Sequence, residues 1–226
     1  MIVLDGDEGR HAARVKRLGP GEPVLVADGR GGFADCAVDS VNGDTVRLSV
    51  RGRGYEPELA PRLVVVQALP KGDRGELSVE VLTELGVDEI VPWAAARSIA
   101  QWRDQRGAKA LQKWRRTAQE AAKQSRRPRV PVVAELAATV AVAQRLAAAA
   151  AGFVLHEAAS ERLACAPLPT SGEIVLVVGP EGGISPDELV TFGAARSVRL
   201  GGAVLRTSTA GAAALAVVQS RLGRWG

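Results

Sequence analysis

The sequence has few cysteine, histidine or aromatic residues. It contains two cysteines, Cys36 and Cys165, and two histidines, His11 and His156, among 226 residues. The cysteines are far apart and neither belongs to a Cys-x-x-Cys pair, so we predict no zinc or other metal site. So few cysteines favour a reducing cytoplasm, where disulfides are rare.

Long apolar runs are also absent. No stretch approaches the roughly 20 apolar residues of a membrane-spanning helix. The first residues, MIVLDGDEGRHAARVKR, lack the basic-then-apolar order of a secretory signal peptide. Hydrophobic residues make up 46% of the chain and charged residues 24%, which predicts a core of ordinary size. We therefore expect a globular, cytoplasmic protein with no membrane partner.

Acidic residues are scarce in one segment. Between Arg97 and Arg129 there are eleven Lys or Arg but only Asp104 and Glu120, a net charge of about +9 in a chain of net charge +4. The rest of the chain therefore carries about −5. Such a segment either faces nucleic acid or is a solvated helix face whose tryptophans lie in the core.

Two patterns divide the chain. Residues 1–60 contain short alternating runs around Gly-rich turns, as in PVLVADGRGGFADCAVDSV and VNGDTVRLSV, which predict hairpins of a small, barrel-like β domain. Residues 51–62, rich in Gly, Pro and charge, are predicted to be a linker.

From residue 61 to 226, apolar strands alternate with helical segments. The predicted strands are RLVVVQAL, VDEIVPW, VPVV, FVLHE, EIVLVVG and SVRLG, and the predicted helices include a basic one over 107–125 and an alanine-rich one over 134–150. This alternation predicts an α/β domain with a mostly parallel sheet covered on both faces.

The stretch VVGPEGGISPDELVTFG, residues 177–193, places three glycines between a strand and a helix. Ser185, Pro186 and Glu188 form a helix start with a capping box. The glycine spacing is neither GxGxxG nor a P-loop, and Glu181 would repel a phosphate. A flat heterocycle with a positive charge fits this loop better. The alternative is a tight turn that holds no ligand.

A second motif, LGGAVLRTSTA, covers residues 200–210. Arg206 precedes a helix that Thr207, Ser208 or Thr209 can cap. An arginine at a helix N-terminus opposes the macrodipole, which favours another role such as an RNA contact. The alternative is an exposed arginine that the site merely tolerates.

Several motifs occur in the order typical of one family. They are GPEGG with S-x-x-E after it, LG-x-x-[LV]-L-R-T-x-TA, ELGVDEIVPW with Arg97-Ser98, AQEAAKQSRRPRVPVV, and RHAARVKRLGPGEPVLVADGRGG. Together they resemble the RsmE-like 16S ribosomal RNA uridine-N3 methyltransferases of the SPOUT superfamily.

This resemblance implies a PUA-like RNA-binding β-barrel domain over 1–60 and a SPOUT methyltransferase domain over 61–226, with a deep trefoil knot within about 150–226. It also implies a homodimer that binds S-adenosylmethionine and acts on 16S ribosomal RNA of the small subunit. Carried over by motif, the cofactor-binding residues are Leu155, His156, Glu157, Gly179, Pro180, Glu181, Gly182, Gly183, Leu200, Gly201, Val204, Leu205 and Thr207.

Two departures from the family's pattern concern Ser208 and Glu80, where the family often has glutamate and lysine. We expect Arg206 to stabilise the developing uridine anion, and Glu181 to orient Arg206 or face the sulfonium. His156 is only a weak candidate for a base. The expected RNA-binding residues are Arg10, His11, Arg14, Lys16, Arg126, Arg127 and Arg129.

Two other functions remain open from the sequence. One is an RNA-binding or ribosome-assembly protein without catalysis, to which Ser208 gives some weight. The other is a SPOUT ribose 2′-O-methyltransferase. The order of motifs argues against it, as does the PUA-like N-terminal domain.

Overall fold

The computed structural model describes residues 1–225 and divides them between two units. Residues 1–58 and 126–129 belong to the N-terminal unit, and the rest of the described chain belongs to the second unit.

The N-terminal unit is built around a four-stranded sheet. Its elements are β1 (Ile2–Leu4), α1 (Gly6–Arg10), a π-helical turn (His11–Val15), β2 (Pro23–Ala27), β3 (Gly32–Asn42) and β4 (Thr45–Tyr55). The strand order is β1-β4-β3-β2, with antiparallel neighbours. The two predicted hairpins, β2–β3 and β3–β4, are therefore confirmed.

The predicted linker is wrong at its start, because residues 51–55 belong to β4. Tyr55 pairs with Gly32, so the strand ladder continues through this segment. A Cβ on Gly54 would lie 2.3 Å from the ring of Phe33. This glycine makes room for an aromatic ring across the sheet and does not mark a flexible connection.

The second unit contains a seven-stranded parallel sheet. Its strands are β5 (Arg62–Ala68), β6 (Glu89–Trp93), β7 (Val132–Val133), β8 (Ala151–Leu155), β9 (Glu161–Arg162), β10 (Glu173–Val178) and β11 (Arg196–Arg199). Its helices are α2 (Arg74–Glu84), α3 (Asp104–Gln124), α4 (Thr139–Ala148), α5 (Pro186–Thr191) and α6 (Thr207–Arg221). The strand order is β7-β6-β5-β10-β8-β11-β9.

Successive side chains of β5 enter two different cores, since side chains alternate across a strand. Leu63 and Val65 pack with residues of α2, α3 and α6, whereas Val64 and Val66 pack with residues of α4 and α5. The sheet is covered on both faces, which confirms the fold class expected from the alternating pattern.

Two predicted helix boundaries are wrong. The alanine-rich helix begins at Thr139, not at residue 134, because Ala137 forms an extended bridge with Trp93. The basic helix spans Asp104–Gln124 in place of 107–125. Strand β9 was not predicted, since two residues are too few to show a period.

The amino ends of the central strands are joined by an ion network. Arg62, Glu89 and Glu173 are the first residues of β5, β6 and β10, and Arg145 reaches them from α4. Arg145 Nη1 and Nη2 lie 2.5 and 3.0 Å from the two carboxylate oxygens of Glu89, and Nη2 lies 3.0 Å from Glu173. Arg62 bridges the same two carboxylates at 2.8 and 3.0 Å. Every charge in this network therefore has an opposite partner.

Candidate functional site

Three loops meet at the opposite, carboxyl edge of the parallel sheet. Strands β10, β8 and β11 are neighbours and run in the same direction, so the segments that follow them emerge at one edge. These segments contain Leu155–Glu157, Gly179–Gly183 and Leu200–Leu205. In open parallel sheets ligands bind at this edge. The three groups that motif comparison assigned to a cofactor are thus brought to one edge.

The glycines after β10 each have a steric reason within the protein. A Cβ on Gly179 would lie 2.8 Å from Ile184 Cγ1, and one on Gly182 would lie 3.0 Å from Arg97 Cβ. Gly183 has a φ of +71°, which residues with a side chain rarely adopt. The loop is therefore a tight turn, and this geometry does not depend on a ligand.

Glu181 ties this glycine loop to the segment after β5. One of its carboxylate oxygens accepts a hydrogen bond from the backbone N–H of Lys71 at 3.1 Å. Arg97 binds the same loop from the other side, donating from Nη1 to the carbonyl of Gly182 at 3.2 Å. Within residues 1–225 the structure has no hydrogen bond between Glu181 and Arg206. Glu181 is therefore placed to hold two loops together.

Thr207 links the motif over residues 200–210 to the glycine loop after β10. Its hydroxyl donates to the carbonyl of Gly179 at 3.1 Å. The prediction that Thr207, Ser208 or Thr209 caps α6 is wrong: Arg206 is the N-cap residue, and no side chain caps the helix. The three hydroxyl residues lie inside the first turn, and Ser208 is buried there with an exposed fraction of 9%. The backbone N–H groups of this turn keep their partial positive charge.

The segment after β11 is open and apolar. A Cβ on Gly201 or Gly202 would meet no atom within 4 Å. Val204 is 79% exposed and Leu205 is 39% exposed. The glycine pair leaves backbone accessible beside apolar side chains, an arrangement that lets a flat ligand approach closely.

His156 is engaged in the local structure of its loop. Its backbone N–H donates to the carbonyl of Val198 at 2.9 Å, and its Nδ1 accepts from the N–H of Ala158 at 3.2 Å. With Nδ1 as the acceptor, the neutral ring carries its proton on Nε2. That tautomer has no free nitrogen lone pair to act as a base, so His156 is better explained as a strand-end residue.

Glu188 has a larger role than the sequence indicated. The predicted capping box with Ser185 is present. The carboxylate of Glu188 also accepts from Ala96 N–H at 2.8 Å and from the Thr139 hydroxyl at 3.2 Å. It thereby fastens the segment after β6, which carries Arg97, to α5. No local sequence pattern indicates this contact, because it depends on the strand order.

All seven expected RNA-binding residues lie in the N-terminal unit. Arg10 and Arg14 form ion pairs with Asp7 and Asp44, both at 2.5 Å. Lys16 and Arg126 are exposed, whereas His11 and Arg127 are partly buried.

Arg129 contributes to the structure of the N-terminal unit. It donates to Glu58 at 3.1 Å, to the hydroxyl of Tyr55 at 3.2 Å and to the carbonyl of Glu56 at 2.9 Å. Only 16% of its side chain is exposed. Little of it remains available to a ligand.

The basic helix α3 buries its tryptophan. Trp114 is 2% exposed and packs edge-to-face on Trp102, with ring centroids 4.9 Å apart. On its outer side Lys113 pairs with Glu76 at 3.0 Å and Arg115 with Glu135 at 2.7 Å. For the tryptophans, the core interpretation therefore holds.

Two further features are absent from the described residues. Among residues 1–225, no group of three or more His, Cys, Asp or Glu side chains could hold a metal ion. Nor does that part of the chain contain a helix long and apolar enough to cross a membrane.

Comparison with known proteins identifies the family. Residues 57–219 match a model described as an RNA methyltransferase domain, and residues 4–51 match an RNA methyltransferase PUA domain. The chain is 47% identical to ribosomal RNA small subunit methyltransferase E of Mycobacterium tuberculosis, covering 100% of this chain and 88% of that protein. It is 30% identical to the Bacillus subtilis protein of the same name, covering 95% and 88%.

A solved structure of ribosomal RNA small subunit methyltransferase E from Neisseria gonorrhoeae, bound to S-adenosyl methionine, has the same fold. Its TM-score to this chain is 0.86 at 27% identity, covering 97% of this chain and 91% of that one. The N-terminal unit is thus PUA-like, and the resemblance seen in the motifs is confirmed. The chain belongs to the ribosomal RNA small subunit methyltransferase E family of RNA methyltransferases.

Proposed function

We propose that this protein transfers a methyl group from S-adenosylmethionine to N3 of a uridine in 16S ribosomal RNA of the small subunit. Its family consists of ribosomal RNA methyltransferases, which supports the reaction class. The observation that carries the proposal is the meeting of three loops at the carboxyl edge of β10, β8 and β11. The choice of N3 rests on the motif resemblance.

The residues at this edge fit the cofactor. The open glycine pair Gly201–Gly202 and the apolar Val204 and Leu205 can cover a flat adenine. Leu155–Glu157 and Gly179–Gly183 contain Glu157 and Glu181 and no Lys or Arg, which suits a sulfonium, and the guanidinium of Arg97 bonds to the carbonyl of Gly182. When bound, the cofactor supplies an electrophilic methyl group. The residues we assign to its binding are Leu155, His156, Glu157, Gly179, Pro180, Glu181, Gly182, Gly183, Leu200, Gly201, Val204, Leu205 and Thr207.

Arg206 is the residue we assign to the uridine. N3–H is a weak acid, so negative charge develops on the O2 and O4 side of the base as N3 attacks. An exposed guanidinium at the N-cap of α6, beside uncapped backbone N–H groups, stabilises such a charge. The uridine must be unpaired or flipped, because N3 lies on the Watson–Crick edge.

Glu181 serves this site as a positioning residue. Its bond to the Lys71 N–H fixes the glycine loop against the segment after β5. Ser208 stands where the family often has glutamate, and its burial in the first turn of α6 keeps it away from solvent. The site as proposed therefore contains no general base, and the N3 proton leaves to solvent.

The domain roles follow from the same family. We assign RNA binding to a PUA-like domain over 1–60 and catalysis to a SPOUT domain over 61–226 with a trefoil knot within about 150–226. We further propose a cytoplasmic homodimer, a proposal that rests on the motif resemblance. The RNA-contacting residues of the N-terminal unit would be Arg10, His11, Arg14, Lys16, Arg126, Arg127 and Arg129.

Mass mapping of 16S ribosomal RNA tests the reaction. A strain without the gene should lack one methyluridine, and the wild-type gene should restore it. Calorimetry with S-adenosylmethionine separates this proposal from a non-catalytic RNA-binding protein. No binding of the cofactor, or a modification on ribose instead of base, would refute the proposal.

A further inference from the structure

The outer face of helix α3 is basic. Leu111, Trp114 and Ala118 of this helix are buried, and at about 3.6 residues per turn the opposite side of the helix points to solvent. The exposed cations on that side recur every three or four residues, so they form one stripe. They are Arg106, Lys109, Lys113 and Arg116, which we call the basic face.

Most of the basic face has no acidic partner in the described part of the chain. Lys113 forms an ion pair with Glu76 of α2 at 3.0 Å. Arg106, Lys109 and Arg116 form no ion pair or hydrogen bond there. A cationic side chain that has no partner within the protein is available to an anion from outside, and phosphate is an anion that both arginine and lysine bind.

This excess of charge is a property of one helix. Helix α3 contains six Lys or Arg and two acidic residues, a net charge of +4. Helix α2, which shares a core with it, contains one arginine and three glutamates, a net charge of −2. The one charged residue of α4, on the other side of the sheet, is Arg145, and it is bound in the ion network. Neighbouring helices therefore do not share the basic face.

The basic face begins near the proposed site. Strands β6 and β7 are parallel neighbours, so α3, which lies between them in the chain, runs back from the carboxyl edge of the sheet to its amino edge. The helix follows the segment that carries Arg97, whose guanidinium donates to the carbonyl of Gly182 in the glycine loop. From Arg106 to Arg116 the helix rises about 15 Å. The stripe of charge therefore leads from the edge that holds the site along one side of the unit.

The basic face has no surface on which a base could stack. Trp114 is the one aromatic residue of α3, and it is buried. Trp102, just before the helix, packs edge-to-face on it. Unpaired bases are recognised by stacking on aromatic rings, whereas base-paired RNA is recognised through its phosphates and its shape. A straight line of charge without rings suits base-paired RNA.

We propose that the basic face of α3 binds the phosphates of a base-paired segment of the substrate RNA while the target uridine lies in the site. The inference rests on the proposed function for the identity of the RNA. Contacts to phosphates position an RNA without reading its sequence. The two interpretations of the basic segment then apply to different sides of one helix, because its tryptophan packs in the core and its outer cations bind RNA.

Fluorescence anisotropy with a labelled RNA hairpin, titrated at several salt concentrations, tests the basic face in the full-length protein. The variants R106Q, K109Q and R116Q each remove one charge and keep a residue that favours helix. Each should lower the slope of log affinity against log salt by about 0.7 to 0.9, the contribution of one phosphate contact, and weaken binding roughly five- to eightfold near 0.1 M salt. The triple variant should lower the slope by about 2 to 3.

The matched control is R162Q. Arg162 is an exposed arginine of the same unit, but it lies on β9, at the opposite end of the strand order from β6 and β7. R162Q should leave the affinity and the slope unchanged. Thermal melting confirms that each variant is folded.

Calorimetry with S-adenosylmethionine keeps the two proposals apart. Variants of the basic face that bind the cofactor normally but the hairpin weakly support the inference. It is overturned if the triple variant keeps the wild-type slope, if R162Q lowers the slope as much as a variant of the basic face does, or if the wild type does not bind the hairpin. It is also overturned if the triple variant loses affinity for single-stranded oligouridine and not for the hairpin. Loss of cofactor binding by the wild type would instead refute the proposed reaction.

Discussion

The two edges of the parallel sheet in the second unit differ in whether their cationic side chains are paired with carboxylates. At the amino edge, Arg62 and Arg145 are fully engaged by Glu89 and Glu173. At the carboxyl edge, Lys71, Arg97 and Arg206 have no carboxylate partner among the described residues, and the loops there are held through backbone groups.

This difference separates stability from function within one sheet. In an ion network where every charge has an opposite partner, no charge is left unpaired to bind a ligand. The side chains of Lys71 and Arg206 take no part in holding these loops and are available for an anion that arrives later, whereas Arg97 bonds to the carbonyl of Gly182. A substitution at the carboxyl edge should therefore affect activity and leave stability unchanged, and one at the amino edge should do the reverse.

The largest effect is expected at the carboxyl edge. R206A should lower kcat for methyl transfer about 100- to 1,000-fold, the range for loss of a donor that stabilises developing negative charge. The affinity for S-adenosylmethionine and the melting temperature should stay at wild-type values, because Arg206 is exposed and its side chain forms no hydrogen bond or ion pair in the described chain. Single-turnover assays and calorimetry measure these quantities.

Arg162 provides the control for this experiment, since it is an exposed arginine on β9 of the same unit. R162A should retain full turnover. If R206A also retained it, the assignment of Arg206 would be wrong.

At the amino edge the expected effect is on folding. R145A removes one cation from a partly buried network and leaves Glu89, 9% exposed, with Arg62 alone. The free energy of unfolding should fall by about 3 kcal/mol, the lower end for breaking a buried pair. Urea denaturation measures it. The cofactor affinity of the folded fraction should not change.

The exposed pair Glu120–Lys123 on α3 is the control for R145A. E120A should cost less than about 1 kcal/mol, as surface pairs do. An equal loss in both variants would mean that the network at the amino edge has no special contribution.

Much of this architecture could be predicted from the sequence. The alternating pattern predicted the parallel sheet, and the capping box predicted the start of α5 at Pro186. The order of the motifs indicated the correct family. These features depend on residues near one another in the chain, for which spacing carries the information.

The contacts between segments that are distant in the chain could not be predicted, because they depend on strand order, which periodicity does not encode. A side chain at Gly182 would crowd Arg97, and the carboxylate of Glu188 accepts from the backbone N–H of Ala96. Each of these pairs is more than 80 residues apart in sequence. The end of β4 was missed for another reason: its segment, RGRGY, was interpreted as a linker.

A smaller effect is expected when pH is lowered. Burial alone would raise the pKa of Glu173, but the hydrogen bond and charge of Arg145, and then those of Arg62, outweigh it and the pKa is lowered. A carboxylate whose folded pKa lies below its unfolded value of about 4.3 stabilises the fold above that pH. This stabilisation is lost as pH falls through the folded pKa. Unfolding free energies measured between neutral and acidic pH should therefore show a decline.

The variant E173Q should make that decline shallower, because the titrating group is gone. E84Q, which changes an exposed glutamate of α2, should leave the decline as in the wild type. A wild-type slope that persisted in E173Q would assign the pH dependence to other carboxylates.

The smallest effect is expected at Glu181. Its carboxylate accepts one hydrogen bond from the backbone N–H of Lys71, whereas the carboxylates at the amino edge form ion pairs. If Glu181 acts by accepting the Lys71 N–H, then E181Q, which keeps a carbonyl oxygen at that position, should retain nearly full kcat and cofactor KM. E181A should lower kcat/KM about fivefold, corresponding to roughly 1 kcal/mol for one exposed hydrogen bond. If instead the negative charge faced the sulfonium, both variants would lose cofactor affinity equally. Rescue by glutamine therefore distinguishes a carboxylate that positions a loop from one that acts by its charge, as Glu89 and Glu173 do at the other edge.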